Sequence, residues 1–101
     1  MSGVTASEHL LKQPGEKRKF SIDFSNILGD ANISGTPTFT STTLGGETSD
    51  LVLDFISVSG DSVFFYAESG THAVRYRGET TIETDDGQRL IGDFILRVTD
   101  I

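Results

Sequence analysis

Arg75-Tyr76-Arg77-Gly78-Glu79-Thr80-Thr81-Ile82-Glu83-Thr84-Asp85-Asp86-Gly87-Gln88-Arg89-Leu90-Ile91-Gly92-Asp93-Phe94-Ile95-Leu96-Arg97-Val98 alternates along most of its length and turns once, so it reads as one long β-hairpin. The bare Asp86-Gly87 pair first suggests a two-residue type I′ turn. That turn sets Thr80 opposite Asp93 and Ile82 opposite Ile91, which forces an aspartate into a core row. A three-residue loop avoids the conflict. With Asp85-Asp86 in a type I turn and Gly87 in the left-handed position of a G1 bulge, Thr84 faces Gln88. The pairing becomes Glu83 with Arg89, Ile82 with Leu90, Tyr76 with Leu96 and Val74 with Val98, and Phe94 lies over Gly78. One face is then apolar throughout. The other carries Arg75, Arg77, Glu79, Thr81 and Glu83 on the first strand, and Arg89, Ile91, Asp93, Ile95 and Arg97 on the second.

Working back from the hairpin, His72 to Thr84 forms its first strand, entered through Glu68-Ser69-Gly70-Thr71. Tyr76 near the start of that strand is placed to act as a tyrosine corner, its hydroxyl reaching back to backbone while its ring packs inward. Leu51 to Ser59 and Ser62 to Ala67 form a second pair of strands joined at Gly60-Asp61. Both are apolar on two faces for part of their length. The second face is covered by an N-terminal arm, by the Ser41 to Asp50 segment, or by another subunit. Ser41 to Asp50, with Gly45-Gly46, is expected to be the most flexible internal segment. Ile33 to Thr40 is a strand in which Pro37 marks an edge or a bend. Asn26 to Asn32 is a turn-rich connection whose Leu28 plugs one end of the core. Arg18 to Ser25 is a strand with Phe20, Ile22 and Phe24 inward, and Leu10 to Gln13 is a short edge strand stopped by Pro14-Gly15. Residues 1–9 are polar and unpatterned and read as a flexible arm.

Seven strands without helical periodicity predict an all-β chain. The leading architecture is an immunoglobulin-like β-sandwich of antiparallel strands over residues 10–101, with residues 1–9 as its arm. The expected core is Phe20, Ile22, Phe24, Tyr76, Ile82, Phe94, Leu96 and Val98. A chain of 101 residues builds one domain that buries roughly 60 to 68% of its unfolded surface.

Composition narrows function mostly by exclusion. There are no cysteines, so neither disulfides nor a thiolate zinc site contribute. No stretch reaches the roughly 20 apolar residues of a membrane-spanning helix. The first ten residues lack the basic start and apolar run of a signal peptide, so synthesis and residence in a cytoplasm are expected. A net charge of −7 disfavours nucleic acid, whose recognition needs clustered Lys and Arg. Lys17-Arg18-Lys19 is the one basic run, read as a solvated strand start.

Catalytic patterns do not assemble. The two histidines, His9 and His72, stand in the arm and at a strand entry, and no GxSxG elbow is present. Asp30, Asp85 and Asp86 lack EF-hand spacing and read as turn residues whose side chains cap local amides. Gly45-Gly46 is followed by neither Lys-Ser nor Lys-Thr, so it is not a phosphate loop. The expectation is a non-enzymatic protein without metal or cofactor.

From Lys12 onward, short motifs appear in a fixed order. Lys12 and Pro14 form Lys-x-Pro. Phe20-Ser21-Ile22-Asp23-Phe24-Ser25 is similar to an aromatic-x-Ile-Asp-Trp-x segment, with Phe24 in place of Trp. Leu28 through Ile33 is similar to Leu-Gly-x-Asp-x-Ile, Gly70 to Tyr76 to a Gly-x-x-Tyr approach, and Thr84-Asp85-Asp86-Gly87-Gln88-Arg89 to a Thr-x-x-Gly-Gln/Arg hairpin. This order resembles the fiber-tail adaptor proteins, small virion proteins of tailed bacteriophages and prophages. The tract Thr43 to Ser62 is longer than the family pattern, and Glu68-Ser69-Gly70 replaces a glycine pair. The resemblance implies a structural adaptor made in a bacterial host, present in several copies as a ring at the neck or tail, and bridging portal, neck or tail proteins to fibers. A binding or decoration module that recognises protein or carbohydrate on a surface is the alternative.

The candidate interface is the outer face of the hairpin, where Ile91 and Ile95 mix with Arg75, Arg77 and Arg97, joined by the arm through Val4 and His9. Apolar anchors among guanidinium groups are favoured at protein interfaces, and on an acidic chain these arginines suit an acidic partner.

Overall fold

The computed structural model describes residues 9–100. Seven strands and one helical turn follow in the order β1 (His9–Lys12), β2 (Arg18–Asp23), α1 (Ser25–Leu28), β3 (Ile33–Thr43), β4 (Leu51–Ser59), β5 (Ser62–Ser69), β6 (Val74–Thr84) and β7 (Arg89–Val98). They form two sheets, one of order β1-β7-β6-β3 and one of order β2-β5-β4. The apolar rows of the sheets face each other across a common core, as in an all-β sandwich.

The β6–β7 hairpin has the register that the three-residue loop requires: Glu83 pairs with Arg89, Ile82 with Leu90, Tyr76 with Leu96 and Val74 with Val98. The Thr84 amide donates to the Gln88 carbonyl at 2.9 Å and the Gly87 amide to the Thr84 carbonyl at 3.1 Å. Gly87 has φ +90°, the left-handed conformation that a G1 bulge demands and that glycine adopts without steric cost. Gly78 is required for a different reason. The Phe94 ring lies across it, and a Cβ built there would stand 2.3 Å from Cζ.

Seven of the eight expected core residues are buried, and Phe20 is half-buried against them. The missing part of that list is β5, whose Val63, Phe65 and Ala67 are fully buried. Phe65 sits at the centre of an aromatic group, with ring centroids 5.2 Å from Phe94, 5.1 Å from Phe39 and 6.0 Å from Phe20. Leu28, in the turn-rich connection, is buried in the core cluster.

Several elements depart from the sequence reading. β1 runs parallel to β7, with Leu10 beside Leu96 and Lys12 beside Val98, so the strands are not all antiparallel. β2 stops at Asp23 instead of continuing to Ser25. The Asp23 carboxylate accepts from the Ser25 amide at 2.8 Å, and the Ile27 and Leu28 amides both donate to the Phe24 carbonyl at 3.1 Å, so the chain coils into one helical turn. β6 begins at Val74, because Ala73 has φ +69° and the Val74 amide turns back to the Thr71 carbonyl. Pro37 marks a bend as expected: the β3–β6 register shifts between Ser34 and Thr38. β3 itself continues to Thr43, past the expected end at Thr40.

The second face of β5 is covered in part by two lysines, whereas Val52 and Phe55 of β4 stay exposed. Lys17 Nζ lies 4.9 Å from the Tyr66 ring centroid and Lys19 Nζ 5.5 Å from that of Phe64, and both rings are half-buried. The Ser41 to Asp50 segment takes another course, its Leu44 amide donating to the Arg75 carbonyl of β6 at 2.9 Å. The arm, which was the other proposed cover, lies outside the described residues up to position 8.

Candidate functional site

The outer face of the β1-β7-β6-β3 sheet gathers most of the residues that the sequence singled out. Strand alternation directs Arg75, Arg77, Glu79, Thr81 and Glu83 of β6 away from the core, because Tyr76, Gly78, Thr80, Ile82 and Thr84 between them are buried. The register sets Arg97 opposite Arg75, Ile95 opposite Arg77, Asp93 opposite Glu79 and Ile91 opposite Thr81. Ile91 is 42% exposed and Ile95 half-buried. His9 is the β1 partner of Ile95 in the parallel register. Val4 lies outside the described residues.

Ion pairing divides the arginines of this face. Arg77 Nη2 is 3.2 Å from Asp93 Oδ2, and Arg89 Nε is 2.9 Å from Glu83 Oε2. Both pairs are open to solvent and add little stability. Arg75 and Arg97 have no carboxylate within salt-bridge distance among the described residues. The face also holds two apolar side chains that sequence reasoning missed. Leu11 is 41% exposed and lies beside Arg97, and Leu44 is 50% exposed and follows β3 beside Arg75. The direction of β1 and the length of β3 bring them there, and neither is encoded in local alternation.

A depression of about 200 Å³ between β3 and β6 is lined by Thr40, Ser41, Thr42, Arg77 and Glu79. It offers hydroxyls and one charge of each sign, without a histidine to activate a nucleophile. His72 is exposed in the turn before β6. Among the described residues no His, Asp or Glu cluster has the geometry of a metal site, and no helix is long and apolar enough to cross a membrane.

The remaining polar networks hold loops. Tyr76 Oη donates to Asp50 Oδ1 at 2.5 Å and accepts from the Thr71 amide at 2.7 Å, while Thr71 Oγ1 donates to Asp50 Oδ2 at 2.7 Å. The tyrosine corner foreseen in the sequence therefore ties two loops to β6. Hydrogen bonds from Tyr76 and Thr71 hold the Asp50 carboxyl below the usual carboxylate range. Burial, and then the Asp50 carboxylate, push the Tyr76 phenol up. Asp85 accepts from the Asn32 amide and side chain, both at 3.0 Å, and Asp86 accepts from Thr84 Oγ1 and Gln88 Nε2. Those bonds lower both carboxyls, with the Asn32 amide leading for Asp85 and the Thr84 hydroxyl for Asp86. Neither caps a local amide as its sequence context suggested: Asp85 holds the distant Asn32 segment and Asp86 ties together the side chains of its own turn. Lys12 is fully buried where β1 ends, its ammonium donating to the Gln13 carbonyl at 2.9 Å. Desolvation lowers its pKa, opposed by Glu16 and Glu68.

What this arrangement offers is a wide, mixed apolar and cationic sheet face, with no catalytic group assembled among the described residues. No curated protein sequence shows a significant match to the chain. Residues 12–97 match the family model described as podophage GP4 fiber-tail adaptor protein gp77, and with most of its length covered the chain belongs to that family.

Proposed function

We propose that this protein is a non-enzymatic structural component of a phage virion, present in several copies at the neck or tail, where it joins tail machinery to fibers. The family match over residues 12–97 carries this reading, because the family is described as a fiber-tail adaptor. The exposed face supports it. Leu11 and Ile91 stand in solvent on one sheet face with Ile95 half-buried, and apolar residues among arginines are what the centre of a protein interface requires.

In this reading the immunoglobulin-like sandwich, expected over residues 10–101, also takes in His9 through β1, and the residues before it form the arm. The partition of strands supports the immunoglobulin comparison: β2-β5-β4 corresponds to B-E-D and β7-β6-β3 to G-F-C, with β1 placed beside G. Arg75, Arg77, Ile91, Ile95 and Arg97, with Val4 of the arm and His9 at the start of β1, form the contact with neighbouring virion proteins. The protein is synthesised in the bacterial host and acts in the particle.

Mass spectrometry of purified virions tests the role directly, and absence of the protein from particles rejects it. The interface has its own test. The pair Ile91→Ser and Ile95→Ser leaves the isolated domain folded, since neither side chain belongs to the core cluster, and is expected to keep the protein out of particles. Normal incorporation of that double variant rejects this face as the contact.

A further inference from the structure

We propose that Arg75 and Arg97 form a docking pair for carboxylates of an acidic segment on another virion protein. The inference rests on the adaptor reading and names the chemistry of the partner.

The chain has eight Lys and Arg residues, and six have a visible use inside the molecule. Lys12 donates to the Gln13 carbonyl, Arg18 to the Leu11 carbonyl at 3.3 Å, and Lys17 and Lys19 lie over Tyr66 and Phe64. Arg77 and Arg89 are paired with Asp93 and Glu83. Only the Arg75 and Arg97 side chains have no hydrogen-bond, carboxylate or aromatic partner among the described residues. They are also direct cross-strand partners. Like charges set opposite each other on adjacent strands destabilise a sheet. Fifteen Asp and Glu residues are available in this chain, so the unpaired arginines do not reflect a shortage of acidic groups.

Their surroundings suit a protein segment. Leu11 flanks Arg97 across the β1–β7 pairing, and Leu44 follows the end of β3 next to Arg75; both are exposed. A guanidinium presents a planar fork that fits a carboxylate bidentately. Two such forks on neighbouring strands fit a segment with one or two Asp or Glu residues beside an apolar side chain. Nucleic acid is the poorer occupant, because two arginines on a chain of net charge −7 do not make a phosphate-tracking surface.

The test is a titration of ¹⁵N-labelled full-length protein with an acetylated, amidated Glu-Leu-Glu peptide, followed by NMR. The expected shifts are confined to the Arg75 and Arg97 side-chain Nε–H groups and the Leu11 and Leu44 amides, and they fade as salt is raised. The variant Arg75→Gln with Arg97→Gln is expected to bind the peptide about tenfold more weakly or worse. Its melting temperature is expected to equal or exceed that of the parent, because a like-charge pair has been removed. The same variant should fail to enter particles, while Arg89→Gln, at an arginine paired with Glu83 and outside the proposed contact, enters them. Three results overturn the proposal: no localised shifts, equal or tighter binding of a short oligothymidylate at the same residues, or concentration-dependent shifts there without peptide, which assign the pair to a second copy. Particles that contain the parent protein and incorporate the Arg75→Gln, Arg97→Gln variant equally well also overturn it, and leave the adaptor reading standing. Absence of the parent protein from particles instead rejects the adaptor reading itself.

Discussion

Gly78 and Phe94 show how one residue pair sets the thickness of this sandwich. The Phe94 ring occupies the space above Gly78, so the smallest side chain and a large one on adjacent strands together fill a single layer. A methyl group at position 78 must displace an aromatic ring that also stacks on Phe65. Gly78→Ala is expected to cost about 1 to 3 kcal/mol, the usual range for overpacking. Phe94→Ala is expected to cost about 3 to 5 kcal/mol through lost burial and a cavity. The two substitutions share the same volume, so their combination should cost less than the sum, by an amount that urea melts of the double variant measure. Strict additivity would show that ring and glycine do not meet. Thr80 marks the opposite kind of position. It is fully buried with a hydroxyl that has no hydrogen-bond partner among the described residues, so Thr80→Val is expected to raise stability by about 1 kcal/mol in the same melts.

At the scale of elements, the bulged turn of the β6–β7 hairpin carries the register of the sheet. Gly87 occupies the left-handed region with φ +90°, whereas Gln88 has ordinary strand-entry backbone and an exposed side chain. Gly87→Val is therefore expected to destabilise by about 1 to 3 kcal/mol, the cost of holding a non-glycine residue in a sparsely populated conformation, and more than Gln88→Val. Equal losses in thermal melts would contradict the bulge. This hairpin was readable from sequence because two conditions had to hold together: an apolar face without interruption, and a loop whose glycine sits at the position needing positive φ. Tyr76 was readable for a related reason, since a lone tyrosine in an inward row near a strand start needs a partner for its hydroxyl. Other elements were not legible. The parallel pairing of β1 with β7 depends on where a four-residue strand lands after the chain has crossed both sheets, which no local pattern records. The helical turn at Ser25–Leu28 was hidden because Phe24 is buried either way, so the inward alternation of β2 runs on through it in the sequence. The candidate face was legible in its β6 and β7 rows, which alternation alone exposes. Leu11 and Leu44 were missed because their neighbours come from tertiary pairing.

Across the whole molecule, three carboxyls in hydrogen-bonded positions link stability to acid pH. Asp50, Asp85 and Asp86 are all held below the ordinary carboxylate range, led respectively by the Tyr76 hydroxyl, the Asn32 amide and the Thr84 hydroxyl. A carboxyl with a depressed folded pKa contributes stability that is complete above its unfolded value of about 3.9 and is lost as pH falls through the folded value. Tyr76 has the opposite sign. Its raised pKa contributes stability that is complete below the unfolded value of about 10 and is lost as pH rises through the folded one. The protein is therefore expected to weaken as pH falls below about 4, whereas at alkaline pH the loss from Tyr76 is opposed by Lys12, whose lowered pKa adds stability as pH rises toward its unfolded value. Each of these carboxyls joins segments distant in sequence or closes a turn, and Asp50 links the loop before β4 to the one before β6. Asp50→Asn keeps the acceptor oxygen for Tyr76 but has no proton to take up, so its melting temperature should fall less steeply below about pH 4 than that of the parent. Tyr76→Phe removes the donor and should flatten the acid limb in the same way, while also removing the Tyr76 contribution at alkaline pH. Parallel acid limbs for parent and both variants would mean that the Asp50–Tyr76 bond is not formed in solution.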